Sequence, residues 1–290
     1  MTTKTRLLIL LGFALIVACE TNEKEPISSV RSGFDFVDPF IGTSGHGHTY
    51  PGATVPFGTL QVSPDNGISK WDWCSGYHYS DSITIGFSQL HLSGTGIGDL
   101  ADVRLMPINR KVDLTTPTKT RFDVPYLSKY SHENEQAVPG YYKVFLEDHN
   151  IEAELTANVR TGGHRYTYGD EGERSVVLDL NFEILWDKIT QSNITIVDDH
   201  TVVGFRHSTG WAKNQKVFYA MQFSSPITRA EMVQNGNYIT DSQSVEGVKT
   251  LAQFYFDPAE KAPLEVKVSI SSVSEANALD HLIAAKELDF

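Results

Sequence analysis

Three clusters between residues 36 and 108 concentrate the side chains able to do chemistry. The first runs Val37-Asp38-Pro39-Phe40-Ile41-Gly42-Thr43, continues through Gly45-His46-Gly47-His48, and ends in Tyr50-Pro51-Gly52-Ala53-Thr54 and Pro56-Phe57-Gly58. The second is Trp71-Asp72-Trp73-Cys74-Ser75-Gly76-Tyr77-His78-Tyr79. The third is Gly86-Phe87-Ser88-Gln89-Leu90-His91-Leu92-Ser93-Gly94-Thr95-Gly96-Ile97-Gly98-Asp99. Glycine lets the main chain approach a ligand closely, and Trp and Tyr offer flat apolar faces with polar edges. Sugars need that combination, because their C–H faces stack on rings while their hydroxyls seek donors and acceptors. The clusters suit loops that line a carbohydrate cleft.

Each side chain also has a plainer reading. His46 and His48 are metal-type ligands, but His-Gly-His supplies two ligands with no obvious third. A sugar contact or simple loop structure fits them equally. Trp71 and Trp73 are two apart, so on a strand they share a face. One is expected to stack on a ligand while the other packs inward. Cys74 reads as a small buried hydrophobe, and His78, four residues on along a strand, is too far away to pair with it. Asp72 and Asp99 are candidate carboxylates, although acidic residues beside glycine usually cap turns. Gly94-Thr95-Gly96-Ile97-Gly98 lacks the Gly-Lys-Ser/Thr ending of a phosphate loop and opens no evident helix. Asn193-Ile194-Thr195 is a formal glycosylation sequon.

The elements that must position these loops read as strands. Ile151, Ala153, Leu155, Ala157 and Val159 alternate with polar residues, as do Leu264, Val266, Val268 and Ile270. Period two is the signature of a half-buried strand. Further candidates lie near 83–90, 103–108, 141–147, 164–168, 175–180, 194–197, 201–206, 216–224, 236–240 and 249–256. Pro139-Gly140, Glu171-Gly172 and Asn235-Gly236 supply turn signals between them. No βαβ rhythm and no internal repeat are evident, so the expected fold is all-β, a large antiparallel β-sandwich. One segment differs. Ser274 is placed to cap a helix over about 275–288, with Ala278, Leu279, Leu282 and Ile283 as its apolar stripe. The pattern fits either a lead-in to a further segment or a helix docked on the sandwich.

Composition bounds the function. The chain has 290 residues, 40% hydrophobic, with 24 Lys+Arg against 36 Asp+Glu. The apolar content excludes global disorder. A net charge of −12 leaves no basic surplus for nucleic acid. The two Cys residues make neither a disulfide framework nor a four-Cys zinc site. At the amino terminus, Lys4 and Arg6 precede the apolar run Leu7 to Val17, too short for a spanning helix, which needs about 20 residues. It reads as a secretory signal. Ile16-Val17-Ala18-Cys19 resembles the bacterial lipobox, which makes Cys19 the expected lipidation site. The organisation expected is a signal peptide at 1–18, a polar tether at 19–34, a sandwich at 35–272 and a helix at 273–290. Export to the bacterial outer membrane through a lipid anchor follows, with no other membrane contact.

The three clusters, in this order, resemble the amino-terminal domain of glycoside hydrolase family 92, the exo-acting α-mannosidases common in gut Bacteroidetes. Asp102-Val103-Arg104-Leu105-Met106-Pro107, Pro139-Gly140-Tyr141-Tyr142-Lys143-Val144 and Thr161 to Tyr166 fit as well. The resemblance covers the chain from about residue 35 onward. It implies a large β-sandwich (supersandwich) followed by a linker helix and an (α/α)6 barrel, with calcium in the cleft between them. It implies inverting hydrolysis of mannose-containing glycans, including glycoprotein N-glycans. That chemistry wants an acid and a base roughly 6.5–9.5 Å apart, and in the family these groups and most calcium ligands come from the barrel. Gly45, His46, Gly47, Trp71 and His78 are then the expected sugar-facing residues, with His91 and Thr95 as further candidates. No catalytic residue and no metal ligand is assigned to this chain. The helix at 273–290 reads as a truncated linker. Activity is expected to need a separate chain carrying the barrel, and the alternative is a stand-alone carbohydrate-binding surface lipoprotein.

Overall fold

Alternation in the sequence becomes alternation in burial. In strand Tyr141–Leu146, Tyr142, Val144 and Leu146 are buried and the residues between them are half-buried. Register aligns such residues across neighbouring strands. Tyr142 stands opposite Leu155, Leu155 opposite His164, His164 opposite Val266, and Val266 opposite Phe223. That row, all of it buried, faces the core of a computed structural model that describes residues 33–285, 288 and 290. Residues 1–32, including the expected signal peptide, Cys19 and most of the tether, lie outside the described residues. Gly33–Phe36 form a short 3-10 turn in an amino-terminal unit ending at Val37. The second unit is Asp38–Phe290.

Two antiparallel sheets carry that unit. The nine-stranded sheet runs, in spatial order, Ser244–Gly247, Lys188–Ile196, Thr201–Thr209, Gln215–Phe223, Leu264–Ser271, Thr161–Tyr168, Ile151–Ala157, Tyr141–Leu146 and Glu135–Val138. The eight-stranded sheet runs Ala53–Thr54, Gln61–Asp65, Gly86–Ser88, Arg104–Ile108, Arg174–Asp179, Thr250–Phe256, Arg229–Gln234 and Asn237–Ile239. One core cluster draws side chains from both, including Val62, Phe87, Leu105, Val176 and Phe254 from the second sheet. This is the expected all-β sandwich, with facing apolar surfaces buried together.

The eight-stranded sheet reads as continuous apolar runs rather than as alternation, and the structure gives the reason. Every residue of Arg104–Ile108, Arg174–Asp179 and Thr250–Phe256 is buried, because the connection 109–130 covers the outer face with Val112, Leu114, Val124 and Tyr126. Tyr126 donates its hydroxyl to Asp179, which also pairs with Arg104.

Turn chemistry holds where it was legible. Asn235-Gly236, both at positive φ, joins Arg229–Gln234 to Asn237–Ile239 as a two-residue hairpin. Other features differ from expectation. The strand near 194–197 is the end of a longer strand, Lys188–Ile196, with a bulge between Ile189 and Gln191. Gln61–Asp65, Glu135–Val138, Arg229–Gln234 and Ser244–Gly247 were not legible as strands. The sequon residue Asn193 is buried in a ladder and bonds Val245 O, which leaves no accessible amide for a glycan.

The terminal helix is Glu275–Ala284, shorter than expected, with Ser274 accepting from Asn277 N at its start. Ala278 and Leu282 pack on Val203 and Ala220 of the nine-stranded sheet. His281 Nδ1 donates to Ile270 O at 2.9 Å, and Arg160 reaches its other nitrogen at 2.7 Å. The helix is therefore docked. Ile283, expected in the apolar stripe, is 60% exposed, because the sheet covers only the Ala278–Leu282 side.

Candidate functional site

Hydrogen bonds between loops bring the three clusters together. Gly94 N donates to His48 O at 2.7 Å, Trp71 Nε1 donates to Gly96 O at 2.7 Å, and Tyr79 N donates to Thr43 O at 2.8 Å. The first loop is tightened by its glycines. A Cβ on Gly47 would stand 2.1 Å from Gly42 O, a contact that only glycine avoids. His48 holds a positive φ of 55°, a conformation that surrounding structure must enforce.

Trp71-Asp72-Trp73 is a 3-10 turn, not a strand. The turn, rather than strand alternation, separates the two indoles. Trp71 is 50% exposed, whereas Trp73 is buried and donates Nε1–H to Asp81 at 2.7 Å. His48 meets Trp71 edge-on, with ring centroids 4.4 Å apart. Asp72, between the indoles, faces the first loop. His46 Nδ1 and His48 Nε2 approach the same carboxylate oxygen at 2.7 and 2.9 Å. These two hydrogen bonds hold the Asp72 carboxyl below its ordinary value, His46 contributing first. The third partner that the His-Gly-His sequence seemed to lack is 24 residues further on.

The remaining expected residues divide. Gly45 and His46 are exposed at the loop tip, and Gly47 is half-buried beneath them. Thr95 is exposed, accepts from Ile97 N, and borders an open depression of about 730 Å³ lined also by Tyr50, Gln61, Asn214 and Lys216. His78 is buried instead. It stacks on Trp73 at 4.2 Å, contacts Ser80 Oγ through Nδ1, and reaches Gly45 O at 3.3 Å through Nε2. Its ring supports the first loop from below. His91 is also buried, its nitrogens engaged by Gln61 O at 2.7 Å and by Ser88 and Asp65 at 3.0 and 3.1 Å. Both rings present their polar edges to the protein.

Cys74 is buried, and burial pushes its thiol above the ordinary value, as suits a small hydrophobe. Asp99 caps a turn, accepting from Leu100 N and Ala212 N. Two exposed aromatics were not singled out from the sequence. Trp186, 51% exposed, donates its backbone N–H to Gly98 O, and Trp211, 67% exposed, precedes the Ala212 that bonds Asp99. Neither sits in a glycine-rich cluster, so composition gave no signal. The third loop ties both to Trp71.

Behind the loops, Arg206 is clamped between Asp102 at 2.6 Å and Asp187, and also donates to Phe182 O at 2.6 Å. Gln215 donates to the second Asp102 oxygen at 2.6 Å. Arg206, Asp102 and Asp187 are buried, and the group anchors the end of the third loop to strand Thr201–Thr209.

The chain is an antiparallel sandwich that exposes Trp71, Trp186 and Trp211 on its loops and turns. Residues 36–271 match the family model of the glycosyl hydrolase family 92 N-terminal domain, and the chain belongs to glycosyl hydrolase family 92. A family GH92 α-mannosidase from Bacteroides thetaiotaomicron, solved with mannoimidazole, is 35% identical with a TM-score of 0.82, over 89% of this chain and 35% of that one. The family glycosyl hydrolase ccman5 is 27% identical with a TM-score of 0.78, over 89% of this chain and 35% of its own. An uncharacterized secreted glycosidase from Arthroderma benhamiae is 27% identical over 137 residues, 46% of this chain and 17% of that protein. This chain thus spans about a third of the solved relatives and less of the secreted one.

Proposed function

We propose that this chain forms the sandwich-side wall of a mannoside-binding cleft in an α-mannosidase-like glycoside hydrolase that acts on mannose-containing glycans. The observation that carries the reading is Trp71: half its surface is exposed, yet its indole is fixed by Gly96 O and His48. A rigid, exposed indole is a stacking platform that a fold would otherwise bury. Gly45, His46 and Thr95 stand exposed on the adjoining loops. Gly47, His78 and His91 act beneath them as supports. The relative solved with mannoimidazole supports mannose as the sugar.

The acid, base and calcium ligands of the reaction belong, on this reading, to an (α/α)6 domain, carried in the same protein or by a separate chain. Calcium prefers six to eight oxygen ligands. The His46–His48–Asp72 set offers two nitrogens, so it does not fit calcium. Export and a lipid anchor at Cys19 on the outer membrane complete the proposal. The secreted relative supports export, and the Ile16-Val17-Ala18-Cys19 sequence supports the anchor. Labelled fatty acid should enter the wild-type chain and not C19A.

Calorimetry with α-mannosyl oligosaccharides tests the cleft. Trp71→Ala should weaken binding roughly 2- to 12-fold, the worth of one aromatic stack, while thermal stability changes little. Unchanged affinity in W71A, or no heat from folded wild-type protein, would sink the reading. A second reading is a stand-alone carbohydrate-binding lipoprotein, supported by the hydrogen bonds that join the three loops within this chain. Turnover of α-mannosides, with and without an added barrel domain, separates the two.

A further inference from the structure

Two imidazoles and one carboxylate converge at the mouth of the first loop. Nδ1 of His46, Nε2 of His48 and an oxygen of Asp72 all lie within 4.8 Å of one another. Both nitrogens point at the same Asp72 oxygen, 2.7 and 2.9 Å away. Nitrogen ligands of this kind suit borderline divalent ions such as zinc, cobalt or nickel, and two His with one carboxylate is a recurrent set for a site that keeps positions open. We propose that His46, His48 and Asp72 form a binding site for a divalent transition-metal ion of the zinc type.

The geometry is close to what such an ion needs. With bonds of about 2.0–2.2 Å, tetrahedral ligand atoms stand about 3.3–3.6 Å apart. From 2.7 and 2.9 Å, the two hydrogen-bonded pairs must open by about 0.4–0.9 Å to reach that spacing. His46 can supply the movement, since its side chain is 80% exposed. His48 and Asp72 supply the fixed half. The His48 side chain is only 6% exposed and rests against Trp71, which is itself held by Gly96 O. Asp72 is held in the 3-10 turn between the two indoles. The ion would join a loop and a turn that are 24 and 26 residues apart in sequence. Its remaining positions would face outward beside Trp71, toward water or a hydroxylated ligand.

A second cluster provides an internal control. Asp198, Asp199 and His200 also gather potential ligands, but on an exposed turn and with a single imidazole. The test uses the purified chain without a histidine tag and without sugar, so it stands apart from the mannoside assay. Cobalt(II) is titrated, its visible absorption followed, and zinc(II) then added in competition. The expected result is one saturating equivalent, displaced by zinc. His48→Ala and Asp72→Asn should each lose the absorption, and His200→Ala should keep it. Circular dichroism and tryptophan fluorescence report whether each variant is folded. Should H48A and D72N both unfold, His46→Ala, at an exposed loop tip, gives the deciding measurement. No saturable binding by the wild type, binding that survives in a folded H48A, D72N or H46A protein, or binding lost in H200A would each overturn the proposal. The cluster would then be a hydrogen-bonded brace between two loops.

Discussion

Lowering the pH from 7 to 4.5 should weaken this fold through two buried histidines. His164 stands in the inward row between Leu155 and Val266, with Tyr166 Oη 2.9 Å from one nitrogen and Gln89 Nε2 3.0 Å from the other. His149 is equally buried, donates through Nε2 to Tyr126 O at 3.0 Å, and has the Arg110 guanidinium 3.1 Å from Nδ1. Burial pushes His164 down to about 3 and His149 down to about 4. In the unfolded chain both return to about 6.5. Between those limits the unfolded state binds protons that the folded state refuses. Stability from these groups is therefore complete above about pH 6.5 and is lost as the pH falls toward the folded values. At pH 4.5 each histidine favours unfolding by about 2.5 kcal/mol, or about 5 kcal/mol together. That is a large share of the 5–15 kcal/mol typical of a domain. Asp102 acts in the opposite sense. Burial, against the pull of Arg206, holds its carboxyl up at about 6, so acidification restores about 2 kcal/mol. A double difference isolates the histidines. Urea unfolding, followed by tryptophan fluorescence, is run at pH 7 and pH 4.5 on the wild type and on H149Q/H164Q. The amides cannot titrate, and any cost of the substitution itself cancels between the two pH values. The wild type should lose about 5 kcal/mol more than the variant on acidification. Equal losses in the two proteins would refute the reasoning.

Four further substitutions have expected outcomes. Arg206→Leu leaves Asp102 and Asp187 as buried, uncompensated carboxylates, and should cost about 3–5 kcal/mol in urea unfolding. Lys188→Ala, which breaks a pair with Glu183 whose lysine side is 60% exposed, should cost under about 1 kcal/mol. Gly47→Ala drives a Cβ into Gly42 O and should cost about 1–3 kcal/mol as the loop opens, with a shift in Trp71 emission. Gly45→Ala meets nothing within 4 Å and strains only a φ of +58°, so about 1–2 kcal/mol is expected in the same melt.

The strands that alternate were legible because one face of each meets the core and the other meets solvent. Leu264–Ser271 shows this over its first half, where Glu265 is exposed between buried Leu264 and Val266; in Ile151–Ala157 the polar face is covered as well, with Glu154 and Thr156 buried. Arg229–Gln234 and Ser244–Gly247 were not legible, since they lie toward the sheet edges and are held largely by backbone pairing with partners. The loops that build the candidate site were legible as compositions. Their internal geometry was not: His78 and His91 turn inward because Trp73 and the Asp65–Ser88 pair await them.

By itself, the sequence determined the fold class, the turn positions, the acidic exterior and the gathering of glycine, histidine and aromatics in three loops. These depend on local periodicity and composition, which neighbouring residues carry. Tertiary structure alone decided that Trp71 is exposed while Trp73 is not, that Asp72 lies between His46 and His48, and that Ile283 faces away from the sheet. Each of those depends on contacts between segments distant in the chain, or on which side of a short element the core lies. Local sequence does not encode either one.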